Sequence, residues 1–520
     1  TVPYEALCRV LVNQKKYDEA LRIAEMTKAR SFSDIITTSV RAGDSDLPEN
    51  VLADDREINY KFETLSGIML EKSGSYVSNP GHEGSLERLR EHRYRHISKL
   101  RKIYPGYAAL RYPEPMSLNE LSLNPDEWAV EYEVTDTGIV SFLLKGREIK
   151  KAFFSPIERK VIEKLILSFR RPLEIDDSSQ IMAQLRSFNL TLGRKLADLL
   201  IGPVLSHLPH GVTVIISPDE FLGLIPFEML VLNDSGKIIT DESGIPVTKG
   251  VQFFGDRNAL VYTQSLTSLT LVRLQSSRKS GATRVMAMID PVFSVEDPHF
   301  DRSAIDRSNN VADGYSEWTR NLLMSVQDRM TFPRLEQTRS LGPFIRELHP
   351  GQSDIYEGMQ ASKRRLFESD LTKYKTLAFA THGYAGCDLP GIREPVLALT
   401  LVNQPEGEDG FLRMSEVAHL KMNAEIVTLT GCKTGIGRYV AGEGAMYMGR
   451  AFQVAGASNA LISLWNVAED PSVELTRSFF AHIRDGKTKL QALQAARRDV
   501  RVKFDHPFFW AAFILVGGGD

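Results

Sequence analysis

At 520 residues, and with ~150 residues to a domain, the chain is expected to hold roughly three to four domains rather than one core. Hydrophobic residues make up 42%, charged residues 25% and aromatics 9%, which is a globular composition and excludes a disordered, collagenous or membrane-bundle protein. The 63 Lys and Arg against 66 Asp and Glu leave a net charge of −3 with no dominant run of either sign, so nothing here attracts a phosphate backbone wholesale.

The three cysteines, Cys8, Cys387 and Cys432, are far apart and form no CxxC pair, which excludes a disulfide framework and a zinc ribbon. The longest charge-free stretch, between Arg450 and Glu469, carries Gln453, Ser458, Asn459, Ser463 and Asn466 and is too polar to span a bilayer. With no signal peptide at its start, the chain reads as a soluble protein of a reducing, cytoplasmic compartment that makes no use of a membrane.

Residues 4–30 place Leu7, Val10 and Leu11 on one helical face and Tyr17, Ala20, Leu21 and Ala24 on the next, with a polar NQKK between them. This predicts a helical hairpin similar to one tetratricopeptide repeat, whose small alanines let two helices approach closely. A single pair cannot bury its own face, and the chain starts at Thr1 rather than Met, so further repeats are expected upstream. Residues 34–112 are polar and mostly helical in pattern. There His92 and His96 stand at i,i+4, but with no third His or carboxylate nearby they read as a solvated basic face rather than a metal site.

After Pro113 and Pro115, the runs EWAVEYEVT and GIVSFLLKG around a Thr135–Gly138 turn predict a β-hairpin. Two helical stretches follow to about 208, then a buried strand at 212–218, and ALVYTQSLTSLTLV (259–272) as a strand and a helix start, an alternation that argues an α/β half. Residues 293–331 are polar and aperiodic, a loop or insertion. Farther on, TLAFATHG (376–383), PVLALTLV (395–402), EIVTLTGCKTG (425–435), NALISLWNV (459–467) and FFWAAFILVG (508–517) read as strands separated by helices. One of these helices is expected to start with Asp470 as N-cap and Pro471 at its first position. Continuous apolar strands of this kind form a mainly parallel sheet flanked by helices. The expected organisation is a repeat-like hairpin at 1–45, a helical linker at 46–112, an α/β half at 113–275 and a second half at 276–520.

In such sheets the reactive crevice lies at the carboxyl ends of the strands, and both His382 and Cys432 follow directly on an apolar strand. A thiol becomes a useful nucleophile beside a proton acceptor or an imidazolium, and a histidine supplies either. Gly383 and Gly431 would let a substrate carbonyl approach the backbone, and the N–H groups of Gly383 and Cys432 would hold an oxyanion. No motif asks for a cofactor or a metal. The near P-loop at 481–488 has Ala481 where the first glycine belongs and follows a helix, and Gly435-x-Gly437 has Val440 in place of its third glycine.

The blocks THG, TLTGCKTG, GEGAMYMGRAFQVAGASNALISLWNV and HPFFWAAFILVGG resemble the CHAT domain, and VTVIISPDEFLGLIPFEML, YTQSLTSL, MAMIDPVF and FPRLEQTR are similar to its N-terminal half. Together they cover roughly 115–520. The resemblance implies a caspase-like or separase-like fold preceded by a degenerate protease-like half, and a His–Cys dyad of His382 and Cys432. Where many members have Ala and Asp-Asp, this chain has Gly431 and Ala468-Glu469-Asp470. In relatives that cleave after basic residues this loop holds the basic side chain with a carboxylate, which points to Glu469 and Asp470 as a pocket. The resemblance therefore implies a cysteine endopeptidase acting on a protein or peptide and gated by a partner bound to N-terminal repeats. Nucleic acid would enter only indirectly, through a CRISPR-type partner. The alternative is a non-catalytic repeat scaffold with a caspase-like platform.

Overall fold

The computed structural model describes residues 2–26, 28, 80–103, 115–175, 180–233, 239–277, 281–300, 332–385, 394–404, 408–430, 447–466 and 468–519, with scattered single positions besides. Of the loop predicted at 293–331, residues 301–331 lie outside them, as do Cys387, Gly431 and Cys432. The chain divides into two compact units, Thr1–Lys28 with Met116–Asp520, and Ala29–Pro115. In the second unit the helix Pro80–Ile103 carries His92 exposed and an Arg95–Glu91 pair one turn apart at 3.1 Å.

In the first unit, the helix Val2–Asn13 and the helical residues 17–26 form the expected hairpin. Ala20 and Ala24 are fully buried, and the Cys8 thiol points at the Ala20 carbonyl at 3.6 Å. The strands are β1 (Trp128–Thr135), β2 (Gly138–Lys145), β3 (Glu148–Pro156), β4 (Thr213–Ser217), β5 (Val231–Asn233), β6 (Gln252–Phe253), β7 (Ala259–Tyr262), β8 (Arg284–Pro291) and β9 (Ser353–Gly358). They continue with β10 (Tyr374–Ala380), β11 (His382–Tyr384), β12 (Val396–Ala398), β13 (Phe411–Arg413), β14 (Ile426–Leu429), β15 (Asn459–Ser463) and β16 (Phe513–Gly517).

Eleven of them make one sheet in the order β3-β2-β1-β4-β7-β16-β15-β14-β10-β8-β9. Only the β1–β2, β2–β3 and β15–β16 pairings are antiparallel. This is the mixed α/β class expected, a mainly parallel sheet flanked by helices, and its central strands are apolar on both faces because helices cover both. Gly456 (φ 116°) turns the chain into β15 where a Cβ would sit 2.1 Å from the Met422 carbonyl oxygen, so no larger residue fits.

The two halves share this sheet. The last strand, β16, lies between β15 and β7, pairing Val516 with Tyr262. Beside it the buried Glu228 takes Arg497 at 2.7 Å and the Tyr262 hydroxyl at 2.5 Å, and Arg497 also donates to the Phe513 carbonyl at 2.6 Å. A buried carboxylate so fully engaged ties the helix Lys489–Lys503 to the first half.

One local expectation is corrected. The helix Glu469–Arg484 has Ala468, not Asp470, as its N-cap, so Pro471 is its third residue. Ser472 closes the first turn onto the Ala468 carbonyl through both its N–H, at 3.3 Å, and its hydroxyl, at 2.9 Å, which leaves Glu469 and Asp470 inside the first turn, where the helix dipole favours carboxylates.

Candidate active site

β10 lies parallel to β14 with Phe379 opposite Leu429. The Thr430 N–H and hydroxyl both bond the Phe379 carbonyl, at 2.9 and 3.0 Å. β10 and β14 therefore end at the same level of the sheet, and His382 follows Phe379 by three residues in the chain. Cys432 itself lies outside the described residues.

His382 opens β11, which pairs with β12 through His382 opposite Ala398 and Gly383 opposite Leu397. This small antiparallel sheet, β11-β12-β13, folds over an apolar cluster that includes Phe293, Leu389, Ile392, Val396, Leu401 and Phe411. The His382 ring is 9% exposed and packs against Phe293 at 5.0 Å and Tyr384 at 6.2 Å between ring centroids. Its Nε2 lies 2.6 Å from the Pro333 carbonyl oxygen. A carbonyl only accepts, so Nε2 carries the proton and Nδ1 is the basic atom of the neutral ring. Burial holds the pKa of His382 below the usual imidazole range, the Pro333 contact acting the other way, so at neutral pH the ring is the uncharged, proton-accepting form.

Of the two acidic candidates, Glu469 is half-buried and Asp470 is exposed. Glu469 Oε1 accepts the backbone N–H groups of Gln337 at 2.7 Å and Thr338 at 3.1 Å. Burial raises its pKa, with those amides opposing. The structure thus ties Glu469 to the segment that carries Pro333, a link nothing in the spacing of the sequence announces. Sequence reasoning also passed over Asp290, Arg334 and the Pro333 carbonyl. Their only signal was that MAMIDPVF and FPRLEQTR stood out as blocks.

Of the cysteines, Cys8 lies among the described residues and away from His382. Cys8 is wholly buried, and burial pushes its thiol well above the ordinary range. Among the described residues no group of three or more His, Cys, Asp or Glu could hold a metal ion, and no helix is long and apolar enough to cross a membrane.

A second polar site lies at the carboxyl ends of β1 and β4, in the first half. The Lys28 ammonium, 4% exposed, meets Glu131 at 2.6 Å and donates to the carbonyl and hydroxyl of Ser217 at 3.1 and 3.0 Å. Glu25 takes the N–H groups of Leu266 and Thr267 at 2.7 and 2.9 Å. The N-terminal hairpin is thus anchored beside β1 and the carboxyl end of β4.

The family model for the CHAT domain matches residues 190–518. Tetratricopeptide repeat protein 28 of Homo sapiens is 22% identical over 596 aligned residues, covering 99% of this chain and 22% of that protein. Its Mus musculus counterpart is 30% identical over 108 residues, 20% of this chain and 4% of that protein. The chain therefore spans about a fifth of the length of the human relative. Among solved structures, the Saccharomyces cerevisiae separase–securin complex is similar at 10% identity and a TM-score of 0.43, over 95% of this chain and 37% of that one. The complex of the Porphyromonas gingivalis RgpB pro- and mature domains is similar at 8% identity and a TM-score of 0.37, over 69% and 76%.

Proposed function

The chain belongs to the CHAT-domain family, and from that premise we propose that it is a cysteine endopeptidase with a caspase-like fold and a His382–Cys432 dyad. The observation that carries this reading is the buried His382, with Nε2 committed to Pro333 and Nδ1 left as base, at the end of the strand whose parallel neighbour leads to Cys432.

In the proposed reaction His382 Nδ1 takes the proton of the Cys432 thiol, and the thiolate sulfur attacks the scissile carbonyl carbon. The N–H groups of Gly383 and Cys432 hold the resulting oxyanion. As the C–N bond breaks, the His382 imidazolium gives its proton to the leaving amine. Water, deprotonated by the same ring, then hydrolyses the thioester. Glu469 Oε2 and the exposed Asp470 carboxylate offer a cationic side chain before the scissile bond its counter-charge, so Arg or Lys is the preferred residue there.

The docked hairpin supports gating. Residues 2–28 belong to the same compact unit as the catalytic half, so a partner bound to repeats joined to them would act on the sheet through Lys28 and Glu25. The test is cleavage of a fluorogenic peptide library by the wild type and by Cys432→Ala, with and without candidate repeat ligands. Cleavage that survives Cys432→Ala removes the protease reading and leaves the repeat scaffold with a folded platform. Strong constitutive cleavage by this chain alone removes the gating and leaves the protease.

A further inference from the structure

We infer that Asp290, Arg334 and Glu469 are positioning residues for His382: they fix the segment 333–338 as a strap that keeps the Pro333 carbonyl on Nε2. This deepens the protease reading and rests on His382 being its base.

Arg334 directly follows Pro333, and its guanidinium grips Asp290 with both arms, Nε to Oδ1 at 3.0 Å and Nη2 to Oδ2 at 2.6 Å. Asp297 adds a second carboxylate at 3.5 Å. Two parallel charge-assisted bonds fix direction as well as distance, which a lysine at this position would not do. With Asp290 3% and Arg334 17% exposed, the pair is largely withdrawn from the water that makes surface ion pairs weak. Asp290 stands at φ 47°, a left-handed conformation that Asp tolerates better than most residues. There its own N–H donates to the Thr338 hydroxyl at 3.1 Å. One residue thus holds both ends of the turn 334–338.

The other anchor is Glu469, whose Oε1 collects the Gln337 and Thr338 N–H groups. Asp290 lies at the end of β8, and Glu469 heads the helix after β15. In the sheet these two strands flank the β14–β10 pair that leads to Cys432 and His382. The strap is therefore pinned from the strands on either side of the β14–β10 pair. On its near side Phe332 packs edge-on against Tyr384 at 5.4 Å and Phe411 at 6.0 Å. Because the Pro333 ring fixes its own φ, its carbonyl turns away from His382 only if Arg334 moves.

The consequence is chemical. With the Pro333 carbonyl in place, Nε2 is the protonated nitrogen and Nδ1 accepts. Without it both tautomers become accessible, and a fraction of the molecules presents an N–H where the base belongs.

The test uses the intact chain with 15N-labelled histidine at neutral pH, the His382 signal being assigned by its disappearance in His382→Gln. The wild type should show the Nε2–H tautomer. In Arg334→Met and Asp290→Asn the signal should move to a tautomer mixture, and alkylation of Cys432 by iodoacetamide should slow by ~10-fold or more, short of the ~10⁴-fold of a wholly wrong tautomer. Arg334→Lys, which keeps the charge without the fork, should fall between. A wild-type tautomer and alkylation rate in every folded variant would overturn the inference. If Arg334→Met fails to fold, Asp290→Asn, which keeps the shape of the side chain, and Glu469→Ala, which removes the acceptor of both strap amides, decide it. The tautomer is read without substrate, so failure here is distinct from failure of the protease reading, which shows as cleavage surviving in Cys432→Ala.

Discussion

Replacing Lys28 by Met keeps the aliphatic stem and removes the ammonium that joins the N-terminal hairpin to the first half. Stranding a partner of a buried ion pair costs ~3–5 kcal/mol. Here Glu131 has an escape, because burial raises its carboxyl to about 8, with Lys28 opposing. At pH 7 the variant's Glu131 keeps its proton, and the loss reduces mainly to the charged donor's two bonds to Ser217, about 2–3 kcal/mol in all. The sign of the pH dependence follows from the raised folded pKa. Stability contributed by this group falls as pH rises above the unfolded value of 4.5, and in the wild type the fall ends near pH 8. In the variant, with no cation to receive the carboxylate, it continues, adding about 1.4 kcal/mol for each further pH unit. Hydrogen exchange of the amides in residues 17–26 and β1 reads this as the free energy of local opening. The opening cost should drop more at pH 9 than at pH 7, and Glu131→Gln in the same chain should remove that extra drop. Equal protection at both pH values in wild type and variant would refute the latch.

Three further outcomes are expected. Iodoacetamide should label Cys432 faster than Cys8 or Cys387, since Cys8 is buried with its thiol pushed up and the thiolate is the reactive form; peptide mapping by mass spectrometry reads the order. Peptides with Arg or Lys before the scissile bond should be cut in preference to those with Asp, and Asp470→Asn or Glu469→Gln should weaken that preference; kcat/KM across the three peptides checks it, and a preference for Asp sinks the acidic pocket. His506, whose pKa burial lowers to about 4 from 6.5, stays neutral while its ring nitrogen accepts the Phe508 N–H at 3.1 Å. Its contribution is fully present above pH 6.5 and disappears as pH falls toward 4, about 3 kcal/mol over that window, and His506→Asn, which still caps without titrating, should flatten the acid limb of a denaturation profile.

The central strands were readable because each is buried on both faces and so must be a continuous apolar run: 376–380, 426–429, 459–463 and 513–517 all stand out. The two edge strands were not. β3, with its Lys150 and Lys151, and β9, Ser353–Gly358, are half-exposed along most of their length, so no apolar period marks them. The hairpin's burial was equally hidden. Nothing in the local sequence sets Lys28, Glu25, Glu131 and Glu133 apart from ordinary surface charges, yet all four are at most 4% exposed. They find partners across the junction, Lys28 on Glu131 and Glu25 on the Leu266 and Thr267 amides, a fact of tertiary structure that no local pattern carries.

The proposed active site divides along the same line. His382 and Cys432 could be picked out because catalysis at a parallel sheet needs residues directly after strands, and strand ends are local features. What holds His382 in one tautomer is not local: the Pro333 carbonyl stands 49 residues away and the Asp290–Arg334 pair spans 44. A carbonyl has no residue identity to recognise, since any amino acid supplies one, and an ion pair between separate blocks looks in sequence like two unrelated surface charges. The same reasoning changes how Glu469 is understood. Read locally it is a freely offered carboxylate beside a helix start, whereas its Oε1 is already spent on two strap amides, so a cationic substrate bound there would share one carboxylate with the strap that orients the base. Recognition of the basic side chain and placement of the His382 ring would then be mechanically linked, and Glu469→Gln, which preserves the amide contacts but not the charge, separates the two: it should weaken discrimination between Arg and Asp peptides while leaving the His382 tautomer unchanged.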